Sequence, residues 1–180
     1  MRGLGFVVAL GFACAALAAD VESRQLTHYV PQDLLETVVR KEDWTEVTLP
    51  VKGEVRKGDV VRVWAGGSID RGNSDRPGQN VNGPDGIPLS QANSEKPDFA
   101  LSAEPGHTYA LLFKTESTGP TKCLPAGKPL EIKLDKDKEK IWIGFNDEKG
   151  RYQDNHLGKG NRHELDPLWV RIEVVRITVD

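Results

Sequence analysis

Short runs in which hydrophobic and polar residues alternate recur along the chain from Trp44 to the C-terminus. Because successive side chains of a strand point to opposite faces, this period of two predicts half-buried antiparallel strands. Clusters of Gly, Pro, Asn and Asp separate the runs, and no helical stretch is long enough for a crossover between parallel strands. The sequence therefore predicts an all-β fold, a jelly-roll-like antiparallel β-sandwich. The alternating positions are Val47, Leu49 and Val51; Val61 and Val63; Tyr109, Leu111 and Phe113; Leu130, Ile132 and Leu134; Ile141, Ile143 and Phe145; and Leu168, Val170, Ile172 and Val174.

The pattern before Trp44 is different. The segment PQDLLETVVRKED has apolar residues at helical spacing behind Pro31 and Asp33, which predicts one short helix. The segment before it, ADVESRQLTHYV, is polar and shows no period. We therefore expect residues 19–43 to form an N-terminal extension with a short helix, and residues 44–180 to form the β-sandwich domain. The longest stretch without a period runs from Gly66 to about Pro105, and its turn-forming composition favours an ordered binding loop.

The N-terminus has the features of a secretory signal peptide. Arg2 precedes the apolar run GFVVALGFACAALA, and small residues at Ala16 and Ala18 predict cleavage just after Ala18. Residues 1–18 are therefore excluded from the fold, and we expect an exported protein, periplasmic or secreted. Of the two cysteines, Cys14 leaves with the signal, so no disulfide framework is expected, and Cys123 is interpreted as a thiol outside any disulfide rather than an intermolecular bridge.

Charge narrows the range of partners. The net charge is −3, and basic and acidic residues are interspersed along the chain. This pattern argues against nucleic acid and anionic membranes, and leaves neutral ligands and cations. No segment after the signal approaches the roughly 20 apolar residues of a membrane span.

Candidate chemistry is concentrated in the stretch FNDEKGRYQDN, residues 145–155, where carboxylates and carboxamides crowd a loop with one glycine. Calcium takes six to eight oxygen ligands of these kinds. Asp154 and Asn155 are adjacent, so both reach one ion only where the backbone is irregular. The alternative is a hairpin loop whose polar residues face water, and composition alone favours that alternative. A second acidic run, LDKDKEK, lacks the glycine and the distal glutamate of an EF-hand and is interpreted as a solvated turn.

The order KGDVVRVWAGGSIDRG, NGPDG, YALLFK, IWIGFNDEKGRYQDN and WVRIEV resembles the galactophilic bacterial lectins of the Pseudomonas PA-I type. That family is a jelly-roll β-sandwich that binds galactose through one calcium ion. The resemblance implies that Asp147, Asp154 and Asn155 are side-chain ligands of calcium. It further implies backbone-carbonyl ligands at Arg151 and Asp70.

The resemblance also implies how a sugar would bind. Two sugar hydroxyls would replace water on the ion, with Asp147, Asp154 and Asn155 contacting both ion and sugar. Where the family has a glutamine that contacts galactose, this chain has either Gln91 or Asn93. The resemblance is also compatible with a homo-oligomer.

Three features depart from the family or are left open by it. Asp154 stands where the family has asparagine, and Ile87 where it has an acidic residue. Residues 157–167 form an extra segment near the site. Tyr152 is a candidate apolar surface for the sugar, or else packs against its own hairpin.

Other chemistries are less well supported. Asp147 and Asp154 could be paired as glycosidase carboxylates, but both are better used as metal ligands, and we expect no enzyme activity. His156 and His163 lack a zinc-site frame. Two hypotheses remain: a calcium-dependent carbohydrate-binding protein, and a non-catalytic β-sandwich interaction or envelope module with or without structural calcium.

Overall fold

A computed structural model describes residues 21–48, 55–72, 80–88, 101, 107–115, 120–125, 127–137, 140–157 and 166–179. Within these ranges the chain forms one α-helix and a series of antiparallel strands. The predicted signal peptide, the predicted strand positions Leu49 and Val51, and most of the segment 157–167 lie outside the described residues. The elements are β1 (Val21–Tyr29), α1 (Gln32–Arg40), β2 (Thr45–Val47), β3 (Val60–Gly66), β4 (Ile69–Asp70), β5 (Val81–Asn82), β6 (Ile87–Pro88), β7 (His107–Thr108), β8 (Leu111–Lys114), β9 (Lys122–Cys123), β10 (Leu130–Lys133), β11 (Ile141–Phe145), β12 (His156–Leu157) and β13 (Trp169–Val179).

Two four-stranded antiparallel sheets make the sandwich. Sheet A has the order β1-β13-β3-β10, and sheet B has the order β2-β11-β8-β9. Their facing side chains form one apolar core, to which sheet A contributes residues such as Val63 and Ile172 and sheet B contributes Phe113 and Ile143. The predicted all-β antiparallel sandwich is confirmed.

The predicted short helix is also confirmed as α1. Leu35, Val38 and Val39 are fully buried, because their spacing places them on one side of the helix, toward the core. Asp33 in the first turn and Arg40 in the last turn have the charges that the helix dipole favours. The helix contacts β11 and β12, which flank the acidic loop.

Two features of the structure differ from what the hydrophobic periodicity predicts. The polar segment before α1 forms β1, whose nine residues all pair with β13. Tyr109, predicted in a strand, lies just before β8 with a φ of +56°. Its amide donates to the Asn146 carbonyl, so β8 and β11 stay linked beyond their paired strands.

The described parts of the long segment from Gly66 to Pro105 contain short pairings. A three-stranded sheet has the order β12-β4-β5, and β6 pairs with β7. In the first of these, His156 is opposite Asp70 and Leu157 is opposite Ile69. This pairing brings the first long loop beside the C-terminal end of the acidic loop.

Candidate functional site

The acidic loop connects β11 to β12 and is held at its base by backbone pairing. After β11 ends at Phe145, the Asn146 amide donates to the Ala110 carbonyl at 2.9 Å. A 3₁₀ helix over Tyr152–Asp154 then turns the chain into β12. The loop is thus an ordered connection between two sheets.

Tyr152 fixes the interior of the loop. Its side chain is 2% exposed, its hydroxyl donates to the Phe145 carbonyl at 3.0 Å, and the Asp147 amide donates to that hydroxyl at 3.1 Å. Burial raises the pKa of Tyr152 to about 12, so the hydroxyl keeps its proton. Of the two roles considered for Tyr152, packing against its own hairpin is the one found, and a sugar-stacking role for its ring is wrong.

Asn155 connects the loop to the helix. Its side chain is fully buried, and Nδ2 donates to the Val39 carbonyl at 2.7 Å and to Asp147 Oδ2 at 2.8 Å. Both neighbours are acceptors, so they require the NH₂ group and fix the orientation of the amide. The Asn155 Oδ1 atom must therefore point away from both.

Two neighbouring residues at this place each have a side-chain oxygen that finds no hydrogen-bond donor in the described part of the chain. These atoms, Asp154 Oδ1 and Asn155 Oδ1, are buried. Buried polar atoms are normally satisfied, and an unsatisfied one costs about 1–3 kcal/mol. Two adjacent acceptors without donors are what a bound cation would satisfy. The residues present therefore fit a cation that prefers oxygen ligands.

Asp147 adds a buried charge to the same group. Its side chain is 3% exposed, and Oδ1 accepts from the Glu148 amide at 2.7 Å. Burial raises the pKa of Asp147 to about 6, against the lowering by the hydrogen bonds from Asn155 and Glu148; the charges of Asp154 and Glu148 raise it further. Within the described residues, no cationic side chain pairs with this carboxylate, and each oxygen keeps a lone pair for another ligand.

The loop that contains Asp70 packs directly on Asp154. The Asp70 Oδ1 atom accepts from the Gly72 amide at 3.0 Å, so this side chain closes its own turn. Gly72 has a φ of +64°, and a Cβ on it would lie 2.5 Å from the Asp154 carbonyl oxygen. Only glycine allows this approach, which brings the backbone of residues 70–72 to the site.

Arg151 and Glu148 lie at the exposed side of the loop. The Arg151 amide donates to the Glu148 carbonyl at 3.1 Å, and its guanidinium is 3.3 Å from the Glu148 carboxylate. The Tyr109 hydroxyl donates to Glu148 Oε1 at 2.8 Å, and the guanidinium of Arg71 lies 3.8 Å from the centroid of the Tyr109 ring. Burial and the bond to Glu148 raise the pKa of Tyr109 to about 12.

The predicted residues are thus placed as follows. Asp147, Asp154 and Asn155 come together, and Asp70 lies beside them through β4 and β12. Gln91 and Asn93 lie outside the described residues. Ile87 is half-buried and packs against the core, as its apolar side chain requires.

Sequence reasoning missed the residues that support the site. These are the Val39 carbonyl, Gly72 and Tyr109, which come from three separate segments. The glycine after Asp70 was the available signal for a close backbone approach. Neither a carbonyl on a helix nor a tyrosine at the end of a strand has a comparable local signal.

Two further observations on the described chain concern metal-binding groups and membrane-spanning helices. In the described ranges, no group of three or more His, Cys, Asp or Glu side chains could hold a metal ion. The candidate set therefore depends on two carboxylates with amide and carbonyl oxygens, which is a donor set for calcium rather than zinc. Nor does any described helix have the length and apolar character needed to cross a membrane.

Comparison with known protein families finds no match, and comparison with curated proteins finds none either. Among solved structures, a chain described as "EclA N-terminal domain; PllA-like lectin" is similar, with a TM-score of 0.40 and 14% sequence identity. The match covers 86% of this chain and 94% of that chain.

Proposed function

We propose that this protein binds carbohydrate in a calcium-dependent manner through the acidic loop. The observation that carries the proposal is the pair of buried, unpartnered oxygens on Asp154 and Asn155 beside the buried carboxylate of Asp147. The same three residues are those that the lectin resemblance implies as ligands. We also propose that the protein acts after export, in the periplasm or outside the cell.

The donor set supports calcium as the ion. The Asp147, Asp154 and Asn155 side chains offer hard oxygen atoms, and carbonyls of Asp70 and Arg151 are the proposed main-chain ligands. Calcium accepts this mixture and an irregular arrangement, whereas magnesium demands near-ideal octahedral geometry. The positive charge would also offset the burial of the Asp147 carboxylate.

The carbohydrate step follows from the chemistry of the same residues. Calcium would supply coordination positions at which two vicinal sugar hydroxyls replace water. The Asp147 and Asp154 carboxylates could then accept hydrogen bonds from those hydroxyls, which orients the sugar ring. A galactose-like sugar is the proposed ligand class, with Gln91 or Asn93 as further contacts.

The test has two stages on the same protein. Thermal unfolding with EDTA and with millimolar calcium measures ion binding, and a glycan array with and without calcium measures sugar binding. We expect calcium to raise the melting temperature and galactosides to bind only when calcium is present. Asp147→Ala should remove both effects because it strips the ion of a buried charged ligand.

Asp135→Ala is the matched control. Asp135 is exposed and belongs to the acidic run interpreted as a solvated turn, so its loss should leave both effects intact. If calcium stabilised the protein but no glycan bound, the site would be structural, and the alternative of a non-catalytic interaction module would replace the lectin proposal. If calcium had no effect at all, the ion site itself would be refuted.

A further inference from the structure

The outer face of sheet A presents an aromatic patch, defined here as Tyr29, Trp64, Trp169 and Arg171. The burial pattern places Val61 and Val63 of β3 in the core, so the alternate positions Trp64 and Gly66 face outward. Trp64 is directly opposite Arg171, and Tyr29 of β1 is opposite Arg171 on the other side. Residues directly opposite each other share a face, so these side chains form one row across three strands.

Trp169 extends the row along the strands. It is opposite Gly66, and a Cβ on Gly66 would lie 2.7–2.8 Å from three atoms of the indole. The ring therefore rests on the glycine backbone and is held in place. Even so, Trp169 is 42% exposed and Tyr29 is 60% exposed, and these are the exposed large hydrophobic residues of the described chain.

Arg171 gives the patch polar groups between the rings. Its guanidinium carbon lies 5.2 Å from the centroid of the Trp64 ring, and Nη2 is 3.1 Å from Glu173 Oε1. The Arg171 side chain as a whole remains 31% exposed. A ligand rich in hydroxyl and ether oxygens would supply acceptors for the exposed part of this side chain.

The charge of this face indicates a neutral ligand. Arg171 is paired with Glu173, and the neighbouring Arg62 is paired with Glu131 at 2.8 Å. Both of these arginines therefore already have an acidic partner, which makes an anionic ligand such as nucleic acid a poor match for them. The two exposed rings offer on the order of 200 Å² of apolar surface, well below the roughly 800 Å² that each partner buries in a stable protein interface.

We propose that the aromatic patch is a second carbohydrate-binding surface, which stacks a neutral pyranose ring on Trp169 and acts without calcium. The apolar C–H face of the sugar would lie on the indole, and its hydroxyls would bond to Arg171. Because the indole is already fixed on Gly66, little side-chain freedom is lost on binding. The patch shares no residue with the acidic loop, which connects β11 to β12, so the proposed binding does not need the proposed calcium ligands.

The experiment follows the four tryptophan indole N–H signals by NMR in EDTA. The probes are the methyl glycosides of glucose, galactose, mannose and N-acetylglucosamine, and their β-linked oligomers where these exist. We expect the Trp169 and Trp64 signals to shift saturably with at least one probe, with a millimolar Kd. The Trp44 and Trp142 signals should not move, because both residues lie with sheet B.

Variants separate stacking from a purely structural role. Trp169→Ala should weaken binding at least about tenfold, whereas Trp169→Phe should keep it within about threefold. Trp142→Phe is the matched control and should bind like the wild type. If Trp169→Ala does not fold, the wild-type signals alone still decide the proposal.

Three outcomes would overturn it. One is the absence of any Trp64 or Trp169 shift with all probes. Another is an unchanged Kd in folded Trp169→Ala. The third is a shift of the Trp64 or Trp169 signal that depends on protein concentration, together with a dimer that dissociates in Trp169→Ala. That result would make the patch an interface between two copies of the protein. None of these results bears on calcium binding at the acidic loop.

Discussion

Replacing Asn155 by alanine should destabilise the protein strongly, even without any metal. The side chain is fully buried and donates to the Val39 carbonyl at 2.7 Å and to Asp147 Oδ2 at 2.8 Å. Losing a bond to a neutral carbonyl costs about 1 kcal/mol, and losing one to a carboxylate costs about 2 kcal/mol. The free energy of unfolding should therefore fall by about 3 kcal/mol, which lowers the melting temperature by about 6–12 °C in a protein of this size.

The measurement is thermal and urea unfolding in EDTA. Gln153→Ala is the control, because Gln153 is exposed in the same loop and should change stability by no more than about 0.5 kcal/mol. Asn155→Asp tests the chemistry further, since it keeps an oxygen but removes both donors and adds a charge beside Asp147. It should be at least as unstable as Asn155→Ala in EDTA. A loss below about 0.5 kcal/mol in Asn155→Ala would refute the bridge and, with it, the fixed orientation of Oδ1.

Three further changes test neighbouring parts of the structure. Gly72→Ala should cost about 1–3 kcal/mol more than Gly127→Ala in urea unfolding, because both have positive φ but only Gly72 has no room for a Cβ; equal losses would contradict the packing. Tyr152→Phe should cost about 1–2 kcal/mol in the same assay, since its buried hydroxyl bonds to the loop backbone; a neutral result would remove that role. Burial raises the pKa of Asp59, but the hydrogen bonds from Arg176 and from the Arg56 amide lower it by more. The pKa of Asp59 therefore lies below its usual value. Stability from this pair is therefore present above the unfolded pKa near 3.8 and lost as the pH falls through the lower folded pKa; Asp59→Asn should be less stable than the wild type at pH 7, and the difference should shrink in acid, whereas a constant difference would contradict the linkage.

The sandwich was predictable because its strands are amphipathic. One face of each strand is buried in the core, so the alternation of apolar residues marks both the strand and its inward side. β1 had no such signal, because it is held by nine backbone pairings with β13 rather than by a local pattern. Tyr109 was assigned to a strand because it is in phase with Leu111, but its positive φ takes it out of the β8 pairing.

For the candidate site, the sequence pointed to the loop that carries the proposed ligands, but not to the residues that support it. Asp147, Asp154 and Asn155 lie within nine residues of one loop, but residue type alone favoured a solvated turn, and it was the lectin resemblance that implied a joint role for them. The groups that orient them come from α1 and from the turn after β4. Every residue has a backbone carbonyl, so residue type does not identify the one that Asn155 contacts. Local sequence patterns also give no information on contacts between residues more than a hundred positions apart.

The contacts between α1 and the acidic loop give the N-terminal helix a part in the site. Arg40 Nε donates to the Asn155 carbonyl at 3.0 Å, and Arg40 Nη2 donates to His156 Nδ1 at 2.9 Å. Together with the bond from Asn155 to Val39, these contacts hold the proposed ligand in place from its backbone and its side chain. An ion that needs Asn155 in this orientation would bind only when α1 is packed against the loop. Binding of such an ion would then stabilise the packed position of α1. The helix therefore belongs to the support of the proposed site, although none of the proposed ligands comes from it.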